Sequence, residues 1–311
     1  VKQKDTEMRP TEILILDGGQ ATQLEARGHD LGDKLWSARL LLDSPHEITA
    51  VHREYLEAGA DCITTLSYQA TVAGFMAAGV DEDRAKEFLR HSVRIAKAAR
   101  DEFWSAAQQA AGRRRPLVAA SVGPYGAYLA NGAEYTGEYG LSKLELMEFH
   151  RERWQLLAEE CPDVMLCETI PSLEEAEALA ELAQQTPALP TWISFSCRDA
   201  QHICNGLAIH ECAKKLNSCD AIEAIGVNCT APGFVAGLIK QVRLASDKKI
   251  VVFPNSGESF DARTKRWTGE KDASQFASSA RLWRDCGATI IGGCCRTTPS
   301  HIRAIREGIL V

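Results

Sequence analysis

Short runs of β-branched and apolar residues alternate along the chain with longer stretches whose apolar positions recur every three to four residues. The runs fall near 13–17, 62–66, 117–122, 164–168, 191–196, 224–228, 250–253 and 289–292. Each is too short for a buried helix and reads as a strand covered on both faces. Between them the period changes. Ala85, Phe88, Leu89, Ala96, Ala99 and Phe103 mark one face of a long helix between 81 and 104, and Ile302, Ile305 and Ile309 one face of the last helix. Ser44-Pro45-His46-Glu47 and Ser172-Leu173-Glu174-Glu175 carry the pattern of a capping box, in which serine and glutamate satisfy each other's backbone N–H groups. Gly59 and Gly287 precede the second and eighth runs, where glycine supplies the left-handed residue that ends a helix.

Strands separated by helices, eight times over, imply parallel pairing, right-handed crossovers and closure. The expected fold is α/β, a (β/α)8 TIM barrel forming a single domain over residues 12–311, with 1–11 as an N-terminal extension. A doubly wound open sheet is the alternative, but it leaves two edges uncovered. In a closed barrel all strand C-termini share one face, where such barrels place their chemistry. Two long loops, 123–140 with Tyr125, Tyr128, Tyr135 and Tyr139, and 254–271 with Asn255 and Trp267, are expected to cover that mouth.

Composition narrows the class. A chain of 311 residues, 45% hydrophobic and 25% charged, can bury one sizeable core. Its formal charge of −7 argues against a nucleic-acid groove, and Arg113-Arg114-Arg115 reads as a solvated loop. No apolar run has membrane length, and Val1 to Pro10 shows no signal-peptide pattern. Eleven cysteines, an odd number without a CxxC spacing, fit a reduced cytoplasmic protein better than a disulfide scaffold. His46, His52, His91, His150, His210 and His301 fall in or near helical patterns, where solvated or capping roles are expected.

One stretch stands apart: Ile290-Ile291-Gly292-Gly293-Cys294-Cys295-Arg296-Thr297-Thr298-Pro299. A strand stops at two glycines, two cysteines follow, and Thr298-Pro299 opens a helix. Adjacent side chains on a strand point to opposite faces, so two neighbouring cysteines can serve one centre only where the backbone turns, a turn the glycines would permit. Two small buried residues are the other reading. A third cysteine, Cys229, also closes a strand-like run, Gly226-Val227-Asn228-Cys229, ahead of Pro232. Three thiols at strand ends fit a tetrahedral zinc with its fourth position open.

Those residues carry a resemblance. Asp17-Gly18-Gly19, Ser67-Tyr68-Gln69-Ala70-Thr71, Gly123-Pro124-Tyr125-Gly126-Ala127-Tyr128-Leu129, Gly226-Val227-Asn228-Cys229, Pro254-Asn255-Ser256-Gly257-Glu258 and Gly292 to Pro299 resemble the homocysteine S-methyltransferases. The similarity runs from about Ile13 to the end and is nearest to the branch using S-methylmethionine or S-adenosylmethionine as donor. It implies Zn2+ held by Cys229, Cys294 and Cys295, and homocysteine's ammonium held by Asp17 and Glu168. Carboxylates at two strand ends suit a cationic amine. A turn acceptor for Asp17 and a partnered buried charge for Glu168 are the plainer alternatives. Backbone N–H groups around Gly18 and Gly19 are candidates for the amino acid's carboxylate. Trp36 and Tyr68 are candidates for the donor's sulfonium, since an aromatic face attracts a soft cation. Asn255 would lie in or beside the open metal position.

The chemistry so implied is transfer of a methyl group from the sulfonium to a thiol that loses its proton to the metal's field. The partners would be small molecules only. Selenocysteine or betaine-type transfer by the same family is an alternative; so is a zinc hydrolase on this barrel, which would want histidine and carboxylate ligands. A non-catalytic barrel with structural zinc would want a fourth protein ligand.

Overall fold

The computed structural model describes residues 13–309 apart from 33–34, 105–111, 262–265 and 269–271, and the side chains of Trp36, 259–261 and 266–268 also lie outside the described residues. Eight parallel strands form one sheet: β1 (Leu14–Ile15), β2 (Cys62–Thr64), β3 (Leu117–Val122), β4 (Val164–Ile170), β5 (Thr191–Phe195), β6 (Ile222–Asn228), β7 (Lys249–Phe253) and, after a short antiparallel hairpin of β8 (Ser259–Asp261) and β9 (Arg266–Thr268), β10 (Ile290–Ile291). Their order is β1-β10-β7-β6-β5-β4-β3-β2. A parallel bridge between Leu16 and Cys62, supported by Asp17 N–H donating to the Cys62 carbonyl at 3.0 Å, joins the two ends and closes the barrel. Each expected strand is present. The hairpin is an addition, in a polar segment without an apolar run to announce it.

The period-two alternation inside each run divides the core. Leu14, Leu16, Ala119, Leu166, Trp192, Ala224, Val251, Phe253 and Ile290 fill the barrel interior, with the small Ala224 in register beside Trp192. The alternate residues, such as Ile15, Met165, Cys167, Ile193 and Ile225, pack outward against the helices. Continued upward, this parity carries Glu168, two residues after Leu166, and Asn228, four after Ala224, toward the C-terminal mouth.

Helix ends follow local chemistry, with exceptions. Gly59 and Gly287 take φ of 114° and 113°, as expected of C-terminal stops. Ser172 Oγ accepts from the Glu175 N–H, but the Glu175 carboxylate turns away to other partners, so only half of that capping box forms. Ser44 makes no side-chain cap, since the Glu47 N–H donates to the Ser44 carbonyl at 3.0 Å, and the Glu47 carboxylate is engaged by Arg27 at 2.5 Å. A full capping box forms instead at Ser142–Glu145. Two further expectations are corrected. Arg113 is not solvated: it donates to the carbonyls of Leu56 and Ala60 and lies over the Phe103 ring. His52 and His150 are fully buried, while His301 does cap, its Nδ1 accepting from the Thr298 N–H.

Candidate active site

The strand ends surround a cavity of about 470 Å³. Cys229, Cys294 and Cys295 reach it from β6 and from the turn after β10, with sulfurs all within 4.8 Å of one another. Cys229 Sγ lies 3.6 Å from Cys295 Sγ and in direct contact with Cys294 Sγ, so the cluster is placed either for an oxidised Cys229–Cys294 pair or for three thiols. A tetrahedral zinc with Zn–S bonds of about 2.3 Å needs sulfurs roughly 3.8 Å apart. The donor set and the Cys229–Cys295 spacing fit that ion, while the touching Cys229 and Cys294 sulfurs would have to separate to admit it. Cys229 adopts φ of 45° and Arg296 φ of 67°, backbone conformations that side-chain-bearing residues avoid and that mark a locally over-determined site.

The turn that brings Cys294 and Cys295 together differs from expectation. Neither Gly292 nor Gly293 has positive φ; that conformation is taken by Arg296. What the glycines supply is room. A Cβ on Gly292 would lie 2.7 Å from Leu16 Cβ, and one on Gly293 2.6 Å from Thr297 Cβ. Gly19 faces the same turn, where a Cβ would come within 2.6 Å of the Cys294 carbonyl. Thr297 ties the pieces together, its Oγ1 accepting from Gly19 N–H at 3.0 Å and donating to the Cys294 carbonyl at 2.6 Å. The Gly19 N–H is therefore engaged within the protein, not presented to a ligand carboxylate.

Asp17 and Glu168 line the cavity. Asp17 is buried and accepts from Thr64 N–H at 2.8 Å, from Thr64 Oγ1 and from Gln20 Nε2. Burial outweighs those bonds, and with a contribution from Glu168 pushes its carboxyl up to about 8. Glu168 accepts a short bond from Ser121 Oγ, and burial pushes it up to about 7. Neither has a cation beside it among the described groups that set its pKa. One buried and one half-buried carboxyl without a counter-charge form an environment that a cationic ligand would relieve.

Tyr68 also lines the cavity, with its ring against Gly123, where a Cβ would lie 2.7 Å from the ring edge. Trp36 begins a 3-10 turn, Trp36–Arg39, but its side chain lies outside the described residues. Asn255 does not line the cavity; its N–H donates to the Thr230 carbonyl and its Oδ1 is buried without a partner among the described residues, while the next residue, Ser256, donates its N–H to the Cys295 carbonyl.

Of the two covering loops, 123–140 does line the cavity, through Ala127, Ala130, Gly132, Glu134 and Tyr135. Its other tyrosines do not: Tyr125, Tyr128 and Tyr139 pack on one another and on Phe149, with centroids 4.8–5.8 Å apart. The side chain of Trp267 lies outside the described residues. Residues not anticipated from the sequence complete the site. Asn228 Nδ2 lies 3.9 Å from Cys294 Sγ and donates to Thr169 Oγ1, while its Oδ1 accepts from Thr169 N–H at 2.6 Å and Ser194 Oγ at 2.9 Å. It sits one residue before Cys229, the only hint in the sequence. Beneath Tyr68, Arg153 donates to the Tyr68 and Gly123 carbonyls at 3.3 and 2.6 Å, and Glu175 accepts from Tyr125 N–H at 2.6 Å.

Comparison with known proteins agrees with this geometry. The homocysteine S-methyltransferase family model matches residues 14–309. Homocysteine S-methyltransferase YbgG of Bacillus subtilis is 47% identical over 293 residues, covering 94% of this chain and 93% of that protein. Homocysteine S-methyltransferase 1 of Zea mays is 46% identical, covering 98% and 96%. Among solved structures, the homocysteine methyltransferase MmuM of Escherichia coli superposes in its metallated form with a TM-score of 0.85 at 40% identity, covering 95% of this chain and 96% of that one, and its oxidized form gives the same TM-score. The chain belongs to the homocysteine S-methyltransferase family, and its barrel is that of a methyltransferase.

Proposed function

We propose that the protein uses zinc to transfer a methyl group from S-methylmethionine to the thiol of L-homocysteine, forming methionine, with S-adenosylmethionine a slower donor. The observation that carries this reading is the convergence of three thiols and two uncompensated carboxyls on one cavity. Cys229, Cys294 and Cys295 would hold the metal. Bound zinc would supply the positive field that lets a substrate thiol react as a thiolate at neutral pH. Holding zinc requires all three cysteines reduced, which fits a cytoplasmic location.

Asp17 and Glu168 would clamp the homocysteine ammonium, and Ser121 and Thr64 hold those carboxyls in place. Gly18 and Gly19 would let the substrate and the Cys294 turn approach β1 closely. Tyr68, and with it Trp36, would face the sulfonium. The sulfonium charge and the thiolate charge cancel as the methyl passes, a change favoured where water is excluded.

The compact donor is favoured by volume: about 470 Å³ lies toward the lower end of small-molecule sites, and both substrates must share it. A zinc hydrolase is less well supported, since among the described residues the one group of metal-ligand side chains is made of thiols. The test is kcat/KM with homocysteine for S-methylmethionine, S-adenosylmethionine and betaine. The expected order is S-methylmethionine first, S-adenosylmethionine second, betaine inactive. A preference for S-adenosylmethionine would contradict the compact pocket, and turnover with betaine would assign another branch of the family.

A further inference from the structure

Two further carboxylates line the cavity outside the clamp; Glu25 is exposed and lies 3.9 Å from Arg296 Nη1, whereas Glu134 has a buried oxygen with no such partner among the described residues. Glu134 lies in the 3-10 turn Ala133–Tyr135, and its Oε2 is buried without a hydrogen-bond partner among the described residues. Burial holds its carboxyl above the usual range. Its backbone is fixed from two sides. Ser196 Oγ donates to the Glu134 carbonyl at 3.0 Å, and Gly126 lies so close that a Cβ there would come 2.8 Å from Glu134 Cα. The half-buried carboxylate has its own backbone N–H beside it, but the buried Oε2 is left without a donor, a cost that a cationic or donor group of a ligand would remove.

We infer that Glu134 is the specificity residue for the methyl donor, pairing with the ammonium of the donor's amino-acid end; this rests on the methyl transfer proposed above. Homocysteine brings one ammonium, for which Asp17 and Glu168 suffice. A sulfonium amino acid brings two cationic centres, and they behave differently in the reaction. As the new bond between the homocysteine sulfur and the methyl carbon forms, the donor's sulfur–methyl bond breaks, its electron pair returns to the donor sulfur, and the donor leaves as a neutral thioether. A carboxylate paired with the sulfonium would stabilise the donor more than the transition state and slow the transfer. The ammonium keeps its charge throughout, so pairing there strengthens donor binding without that penalty. Tyr68, whose ring packs on Gly123, offers the sulfonium a softer surface.

The test compares S-methylmethionine with its deaminated analogue, 4-(dimethylsulfonio)butyrate, on the zinc-loaded protein. Affinities are read by calorimetric titration and, for the donor, also from KM. In Glu134→Gln, the affinity for S-methylmethionine should fall at least tenfold, the affinity for the analogue should stay within twofold of wild type, and the KM for homocysteine should not move. Glu134→Asp, which keeps the charge on a shorter arm, should recover part of the loss and serves if the glutamine variant does not fold. Equal losses for both sulfonium compounds, a raised homocysteine KM, or unchanged S-methylmethionine affinity would each overturn the inference. Wild-type protein that binds S-methylmethionine but forms no methionine would instead count against the proposed function, leaving the titration to judge Glu134.

Discussion

Arg153 Nη2 lies 2.6 Å from His150 Nδ1. Arginine has no lone pair to offer, so Nδ1 must accept, and the proton of the neutral imidazole sits on Nε2, which donates to Glu175 Oε1 at 2.8 Å. All three side chains are buried. The same arginine holds the Tyr68 and Gly123 carbonyls, and the same glutamate holds Tyr125 N–H. This chain therefore fixes the tautomer of His150 and the floor under the loop that lines the cavity. Arg153→Met should destabilise the fold by about 3–5 kcal/mol, because Glu175 would keep its buried charge without the compensating cation. Urea unfolding measures it; a loss below about 1 kcal/mol would show that the network is not electrostatically coupled.

The acceptor clamp makes a second prediction. Asp17→Asn and Glu168→Gln should each weaken homocysteine binding by about 1.5–3 kcal/mol, the range for a hydrogen bond to a charged group. Zinc content should be unchanged in both. Homocysteine kinetics identical to wild type in both variants would place the amine elsewhere.

The same two carboxyls predict a pH dependence. Burial pushes Asp17 to about 8 and Glu168 to about 7, so the pair gains charge as pH rises through 7 to 8. Homocysteine KM should fall over that window at constant ionic strength, whereas carboxyls of ordinary pKa would give a flat profile. Stability of the ligand-free protein runs the other way. The native carboxyls bind protons that the unfolded ones have released, so stability falls as pH climbs to about 8. His52, lowered to about 4 by burial, has the opposite sign and acts only below its unfolded value of 6.5. The decline between pH 6.5 and 8 should therefore be the visible part, and Asp17→Asn should flatten it.

Asn228 supplies a fourth prediction. Its Nδ2 points at Cys294 Sγ at 3.9 Å while Thr169 and Ser194 lock its orientation. Groups that orient and polarise a ligand typically contribute 10–100-fold to metal affinity. Asn228→Ala should lower zinc affinity by about that factor in a competition with a chromophoric chelator, with all three cysteines still titrating as free thiols after the metal is removed. Undiminished affinity would reduce Asn228 to a packing residue.

The barrel was readable because each strand is a contiguous apolar run between turn residues, and because the two faces of a TIM-barrel strand both demand such residues. The cysteines were readable because adjacency at a strand end has few structural uses. The contacts that complete the site span distances that no local pattern encodes: Asn228 meets a sulfur 66 residues away, and Glu134 is held by Ser196, 62 residues away. Glycine shows the limit most clearly. Gly292 and Gly293 suggested a backbone turn, yet the left-handed residue is Arg296, and the glycines serve packing against Leu16 and Thr297. The tyrosines of the loop after β3 misled in a similar way, since composition alone could not separate the one that faces the cavity from the three that face each other.

The most direct test of the account is methionine formation from homocysteine and S-methylmethionine as zinc is titrated back into chelator-stripped, reduced protein. Activity should be absent without metal, rise in proportion to added zinc, and saturate at about one zinc per chain, the capacity of a single three-thiolate site. Each Cys229→Ser, Cys294→Ser and Cys295→Ser protein should fold but fail to regain activity. Full activity in the stripped protein, or none at saturating zinc, would contradict it.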